Sequence, residues 1–299
     1  MIVQALGIIV LPLAAFVVAV LFLGLSRKIT ARIQRRYGPP LYQPVIDVVK
    51  LLTQDEHISH GVVFDAGVLL ALGGSIATVL FIPVAGFHPL GSSGDLLVVV
   101  YLMLLAPLGM ALAAGGADNP NASIGVSRKL IVALGYEVPF LLAILAVMVH
   151  GSTTSLVEIT RSQQESILRW GLFRLPLSTL AVFLILPAMI GIRPFDMVAA
   201  PQEIASGPLV EFGGKYLAIA ALQGALHLYI VIALFVDLFL GGGANVVTFL
   251  LKVFVVFLAG LFINAVYPRF RIDQGLRFCW RWPALLGLLG LIGALVIGS

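Results

Sequence analysis

Apolar residues run in unbroken blocks separated by short polar connections. The blocks span approximately 3–25, 64–85, 96–114, 130–150, 175–192, 217–240, 246–266 and 282–298. A helix needs about 20 apolar residues to cross roughly 30 Å of hydrocarbon. Backbone groups in lipid must be satisfied internally, so apolar blocks this long without turn signals predict helices and not barrel strands. The pattern predicts an all-α integral membrane protein, a bundle of about eight transmembrane helices in a single polytopic domain over residues 1–299. Pro83, Pro107, Pro139 and Pro187 fall within or near the ends of blocks, which a packed membrane bundle tolerates. The first block starts at Ile2 with no basic region before it and lacks the shape of a signal peptide, so it reads as a retained span. The Gly241–Gly242–Gly243 link makes the sixth and seventh spans an antiparallel pair. Between Tyr42 and Gln54 the pattern changes. There Val45, Ile46, Val48, Val49, Leu51 and Leu52 alternate with Asp47 and Lys50 at helical spacing, predicting an interfacial amphipathic helix over 42–54. It either closes one end of the bundle or docks a partner.

Composition agrees with this reading and fixes an orientation. Of 299 residues, 60% are hydrophobic and 11% charged, with a mean hydropathy of +1.09. Soluble domains carry about 25% charged residues, so this chain cannot build a soluble surface. The net charge of +4 does not point to nucleic acid. It reflects sidedness. Arg27, Lys28, Arg32, Arg35, Arg36, Lys50, Arg128, Lys129, Arg193, Lys215, Arg269, Arg271, Arg277 and Arg281 lie on alternate connections, fourteen of the 18 basic residues. Arg161, Arg169 and Arg174 lie on the opposite side, and Lys252 lies inside a span. The positive-inside rule then makes the basic loops cytoplasmic and puts both termini on the outer face of the cell inner membrane. A single cysteine, Cys279, excludes an internal disulfide or an all-cysteine iron–sulfur site, and the five histidines show no close spacing beyond His57/His60. No redox centre or metal site is expected in the chain. Its chemistry must be ion movement, lipid-phase chemistry or chemistry on a bound partner.

Charges at membrane depth cost about 2.5–3.5 kcal/mol each on insertion scales, so each asks for a reason. Glu137 sits in Tyr136–Glu137–Val138–Pro139 of the fourth span, where Pro139 removes a backbone hydrogen bond. A carboxyl group in an apolar site can exchange a proton near neutral pH. Glu137 therefore reads as a proton-path residue or as a carboxylate paired structurally with a base. Asp237 and Lys252 flank the glycine link and suggest an outer ion pair. Gln223 and His227 share a face of the sixth span, either as a hydrated seam or as an interhelical bond. On the cytoplasmic side Asp118, Arg128, Lys129, Arg193, Asp196, Glu203 and Glu211 join Arg27, Arg32, Arg35 and Arg36 as an ion-path entrance, a docking floor or a plain interfacial charge belt.

Three stretches carry a resemblance to a known family. They are Arg35–Arg36–Tyr37–Gly38–Pro39 with the run from Gln43 to Leu51; Ser127–Arg128 followed by Gly135–Tyr136–Glu137–Val138–Pro139; and Arg193–Pro194–Phe195–Asp196 leading to Glu203, Gly207 and Glu211. The chain resembles, over essentially its whole length, subunit 1 of respiratory complex I, which lies at the junction of the membrane and peripheral arms. It resembles most the homologous small membrane subunit of group 4 energy-converting, membrane-bound [NiFe] hydrogenases. The resemblance implies a redox-inert subunit that docks a peripheral arm and couples electron transfer there to proton or sodium translocation in antiporter-like membrane subunits. It implies a proton path through Glu137, Asp196 and Glu203. It also implies charge-balancing or docking roles for Arg35, Arg36, Asp47, Lys50 and Arg128.

The choice of branch rests on departures from the complex I pattern. After Pro194–Phe195–Asp196 that pattern is rich in glutamates, whereas here Ala199 and Pro201 stand at two such positions. Gly207–Pro208–Leu209, Glu211–Phe212–Gly213–Gly214 and the ending Leu238–Phe239–Leu240–Gly241–Gly242 resemble the hydrogenase branch. The implied partners are iron–sulfur and [NiFe] hydrogenase subunits carrying [4Fe-4S] clusters and a [NiFe] centre, with ferredoxin as donor and no nucleic acid. The alternatives are a quinone-chamber subunit of a complex I-like oxidoreductase, a stand-alone ion transporter and a purely structural anchor.

Overall fold

The computed structural model describes residues 2–54, 61–91, 93–116 and 119–298. The chain is a multi-pass membrane bundle, all-α among the described residues. Its helices are α1 (Ile2–Ile33), α2 (Gln43–Leu52), α3 (Gly61–Phe81), α4 (Asp95–Gly115), α5 (Pro120–Gly151), α6 (Leu156–Gln164), α7 (Gly171–Arg174), α8 (Pro176–Ile190), α9 (Pro201–Ile204), α10 (Gly214–Phe239), α11 (Val246–Val266), α12 (Ile272–Arg281) and α13 (Pro283–Gly298). Among the described residues seven stretches are long and apolar enough to cross a membrane, α12 and α13 counting as one. The shorter apolar helix α8 is the eighth.

Two helices run well past the apolar blocks that announce them. α1 continues through Arg27, Lys28 and Arg32 to Ile33. α5 begins at Pro120, so Arg128 and Lys129, expected on a loop, are helical. Local backbone bonding can carry a helix beyond the hydrocarbon, and long basic side chains tolerate its margin by reaching toward water. Glu137 thereby lies near the middle of α5. The connection after α5 also holds structure that the apolar pattern does not announce, namely α6, a 3₁₀ turn at Ile167–Arg169 and α7.

The chain forms two compact units, residues 1–79, 101–130 and 198–230, and residues 80–100, 131–197 and 231–299. In the first, α3 and α4 touch backbone to backbone. A Cβ on Gly67 would lie 2.5 Å from Ala113 N, and one on Gly109 would lie 2.5 Å from Ala71 N. Membrane helices gain little from hydrophobic transfer and rely on such close packing of small residues. Phe64, Val68, Ala71, Met110, Ala113, Phe212 and Ala220 make the buried cluster around this crossing.

In the second unit, every residue of α10 from Val231 to Phe239 is buried. α13 carries Gly287, Gly290 and Gly293. A Cβ on Gly290 would lie 2.2 Å from Ser178 Oγ and 3.0 Å from Ser178 N of α8, and one on Gly287 would lie 3.2 Å from Pro139 O of α5. α8 ends where Gly191 takes the left-handed conformation (φ 80°) and donates its N–H to Pro187 O. α11 starts after the glycine link with a capping box of Asn245 and Thr248.

Gly290 and Gly293 make a matched test of this packing. Gly290→Ala is expected to destabilise the bundle by about 1–3 kcal/mol through overpacking on Ser178. Gly293→Ala, with nothing within 4 Å of its Cβ position, should be close to neutral. Thermal unfolding in detergent reads the difference.

Candidate functional site

Polar groups cluster at five places, each described within its own unit. In the first unit, α2 is tied back to α1. Arg27 Nη1 donates to Asp47 Oδ2 at 2.6 Å and Gln43 Nε2 donates to Asp47 Oδ1 at 2.9 Å. Glycines permit the tight return between the two helices. A Cβ on Gly24 would lie 2.1 Å from Leu41 O, and Gly38 adopts φ 69° beside Ala31. Hydrogen bonds from Arg27 and then Gln43 hold the Asp47 carboxyl below its ordinary value of 3.8. The Arg32 guanidinium lies 4.9 Å from the centre of the Tyr37 ring, while Arg35, Arg36 and Lys50 are exposed.

The second cluster joins α5 to the segment after Val198. Arg128 Nη1 donates to Glu203 Oε2 at 2.7 Å. A Cβ on Gly125 would lie 2.5 Å from Pro208 Cδ, so only glycine lets this loop rest on α5. The loop holds Ala200, Ala205 and Ser206 at φ 23°, 47° and 78°. Such non-glycine conformations cost about 1–3 kcal/mol each and persist only where surroundings impose them. Glu211 is half-buried and bonded within the fold. Nearby Phe212 and Tyr216 pack on Phe64 with centroids at 4.8 and 5.0 Å, and the Tyr216 hydroxyl donates to Asp65 in a short hydrogen bond. Deeper in the unit Gln223 Nε2 lies 3.4 Å from Ser75 Oγ, one turn from the half-buried His227.

The third cluster, in the second unit, fixes Asp196. Arg269 Nη2 donates to its Oδ2 at 3.0 Å, and Phe270 N donates to Pro194 O at 2.8 Å. Phe195 packs against Phe270 and Phe278 at 5.6 and 5.9 Å between centroids. Arg193 is exposed, and its backbone N–H donates to Asn264 Oδ1 at 3.1 Å.

The fourth is Glu137 itself. It is half-buried in α5 and finds no hydrogen-bond or ion-pair partner among the described residues. Two residues on, Pro139 lacks an N–H, so Gly135 O has no helical donor.

The fifth corrects an expectation. Asp237 and Lys252 do not form a direct ion pair. Lys252 Nζ donates to Leu240 O at 2.6 Å and Gly242 O at 2.8 Å and lies 4.2 Å from the centre of the Trp170 ring. Asp237 is fully buried, and neither carboxylate oxygen has a hydrogen-bond partner among the described residues. The glycine link turns its carbonyls toward the ammonium through Gly241 and Gly242, at φ 69° and 53°. The carbonyls thus capture the charge that spacing alone would give to Asp237.

The expected site residues therefore divide. Arg27, Arg32, Arg35, Arg36, Asp47, Lys50, Arg128, Glu203, Glu211 and His227 belong to the first unit, and Glu137, Arg193, Asp196, Asp237 and Lys252 to the second. Asp118 and the His57/His60 pair lie outside the described residues. Sequence reasoning missed Asp65 as the partner of Tyr216, 151 residues away, and Arg269 as the partner of Asp196, 73 away. No spacing rule reaches across such separations; Arg269 entered only the charge count. Among the described residues no group of three His, Cys, Asp or Glu side chains is placed to hold a metal ion.

The apolar bundle, the Glu137 helix and the Asp196 and Glu203 segments meet in one comparison. Residues 5–295 match the NADH dehydrogenase family. The chain belongs to that family. Among its relatives there, an NADH-quinone oxidoreductase subunit of Protochlamydia amoebophila is 31% identical over 93% of this chain and 92% of its own length. An F(420)H(2) dehydrogenase subunit of Methanosarcina acetivorans is 28% identical over 94% and 91%. A solved chain from the membrane-bound sulfane sulfur reductase, an archaeal respiratory membrane complex, superposes with a TM-score of 0.92 at 39% identity, covering 99% of each chain. The protein is thus a membrane-embedded member of the family, homologous to subunits of energy-converting hydrogenase-like and NADH-quinone complexes.

The Asp47 tie carries a pH prediction. Because folding lowers the Asp47 pKa, its contribution is complete above about 3.8 and is lost as pH falls through the lower folded value. A nitroxide label on α2 should keep constant mobility from neutral pH down to about 5 and loosen only below the ordinary carboxyl value of 3.8. In Asp47→Asn the label should be loose throughout this range.

Proposed function

We propose that the chain is the coupling subunit of an energy-converting hydrogenase-type complex. It would connect electron transfer in a peripheral iron–sulfur arm to proton or sodium translocation by antiporter-like membrane subunits. Ferredoxin or a similar low-potential donor supplies electrons, [4Fe-4S] clusters carry them, and a [NiFe] centre in a partner reduces protons. The observation that carries this branch is the 39% identity over 99% of a chain from a complex other than a quinone reductase, against 28–31% for the two dehydrogenase relatives. The same similarity favours one second reading, in which sulfane sulfur is the terminal acceptor of the partner arm.

In this reading the chain's own residues hold and pass protons. Asp196 in the second unit and Glu203 in the first are each held by an arginine, and we assign them, with Glu211 and Asp118, as carboxylates of the cytoplasmic end of the path. Glu137 is the relay at membrane depth, and His227 is assigned to the same path because an imidazole can accept a proton at one ring nitrogen and donate from the other. A change of charge in the docked arm shifts these pairings, and Glu137 responds because no described group fixes its charge. Arg27, Arg32, Arg35, Arg36, Asp47, Lys50 and Arg193 balance charge or dock the arm. The basic loops face the cytoplasm and both termini the outer side.

Gentle purification of the tagged chain with its partners tests this reading. The expected preparation contains iron and nickel, evolves hydrogen from reduced ferredoxin and shows no quinone requirement. A nickel-free complex that reduces polysulfide would establish the second reading. Inhibitor-sensitive quinone reduction, or ion transport by the chain alone, would overturn both.

A further inference from the structure

The segment between α5 and α8 encloses a cavity of about 330 Å³ wholly within the second unit. Hydrogen bonds hold its frame. Asp95 Oδ1 accepts from Leu156 N at 2.5 Å at the start of α6. The buried Gln163 donates Nε2 to Leu238 O and accepts from Gly171 N, both at 2.9 Å. A Cβ on Gly171 would lie 2.8 Å from Leu238 O, so the approach of α7 to α10 requires glycine.

The polar side chains left to meet a ligand are two guanidinium groups, an imidazole and a hydroxyl. His150, Arg169, Arg174 and Ser162 all line the cavity. Arg169 pairs with Glu165 four residues earlier, which leaves part of its guanidinium fork for a second anion. The Arg174 side chain makes no ion pair or hydrogen bond among the described residues. Of the two guanidinium groups that line the cavity only Arg169 has a carboxylate partner, and a phosphate oxygen would supply one to Arg174. Guanidinium groups suit it through paired N–H donors.

The residues beside Arg169 and Arg174 in the chain give an exposed apolar rim. Ile167, Leu168 and Phe173 are 62%, 71% and 53% exposed, and Leu177 and Leu180 continue exposed down α8. Exposed apolar side chains beside cationic ones on a short connection between two spans fit the membrane interface, where arginine heads reach the headgroup layer. A free phosphate would use the cations and leave this rim without a role. An anionic phospholipid uses both.

The geometry points to a specific site for an anionic phospholipid, with its phosphate between Arg169, Arg174 and His150 and its acyl chains along Ile167, Leu168, Phe173 and α8. The site is separate from the carboxylates assigned to ion translocation, and it holds whichever acceptor the partner arm uses. The lipid would set the α5–α8 connection against the headgroup layer.

Native mass spectrometry of the purified complex, exchanged into micelles doped with phosphatidylglycerol or phosphatidylcholine, tests this site. Wild type should retain phosphatidylglycerol selectively. In Arg169→Gln/Arg174→Gln retention should fall about tenfold or more, the loss expected from removing charge-assisted hydrogen bonds. Arg161→Gln, outside the cavity, should retain lipid as wild type does, and Arg174→Lys should recover part of the loss, which separates lost binding from lost folding. Equal retention of the two lipids, unchanged retention in the double variant, or displacement by millimolar inorganic phosphate would each overturn the proposal.

Discussion

A hydrocarbon layer offers no water to an N–H, a C=O or a charge, so each polar group that enters it must find its partner within the protein. That constraint accounts for the way Lys252 is held, and the same economy of partners extends to the margins of the bundle. Lys252 gives two of its protons to the carbonyls of Leu240 and Gly242 and rests its ammonium over Trp170. Arg128 takes Glu203, Arg269 takes Asp196, and Tyr216 takes Asp65. Against this background Glu137 and Asp237 stand apart, as membrane-depth carboxylates with no hydrogen-bond partner among the described residues. Neither contributes to stability by bonding, so each must be held in place by the packing around it.

Glycine supplies that packing. Where Gly67 meets Gly109 and Gly290 meets Ser178 the helices approach too closely for a Cβ, and Gly287 lies tightly against Pro139 O. Close contact replaces the hydrophobic drive that lipid removes, and it also limits how far helices can move. Pro139 acts in the opposite sense by leaving Gly135 O without its helical donor two residues before Glu137. The bundle is thus stiff where small residues cross and locally loosened beside the carboxylate to which we assign proton transfer.

The sequence shows the spans more clearly than the contacts. Blocks of about twenty apolar residues mark the long helices because membrane thickness sets their length. The same rule misplaces the start of α5, where Ser127, Arg128 and Lys129 lower the hydropathy while the backbone is already helical. It passes over α6 and α7, which are too short and too mixed to register as spans. The amphipathic period between Tyr42 and Gln54 does find α2. Site residues are recognisable singly, because a charge at membrane depth is conspicuous. Their partners are not, since Arg128 and Glu203 are separated by 75 residues that only folding brings together. Lys252 shows a further limit: proximity in sequence suggests Asp237, yet backbone carbonyls, which no composition reveals, hold it.

Glu137 is the residue assigned to pass protons between the arm and the membrane. That assignment is tested most directly by Glu137→Gln in the intact complex, reconstituted in vesicles, with ion uptake and acceptor reduction followed together. The expected result is a normally assembled complex in which ion uptake per electron falls at least about tenfold, as when a proton-transfer group is removed. Normal assembly with undiminished ion uptake per electron would contradict the assignment and leave Glu137 as a structural residue.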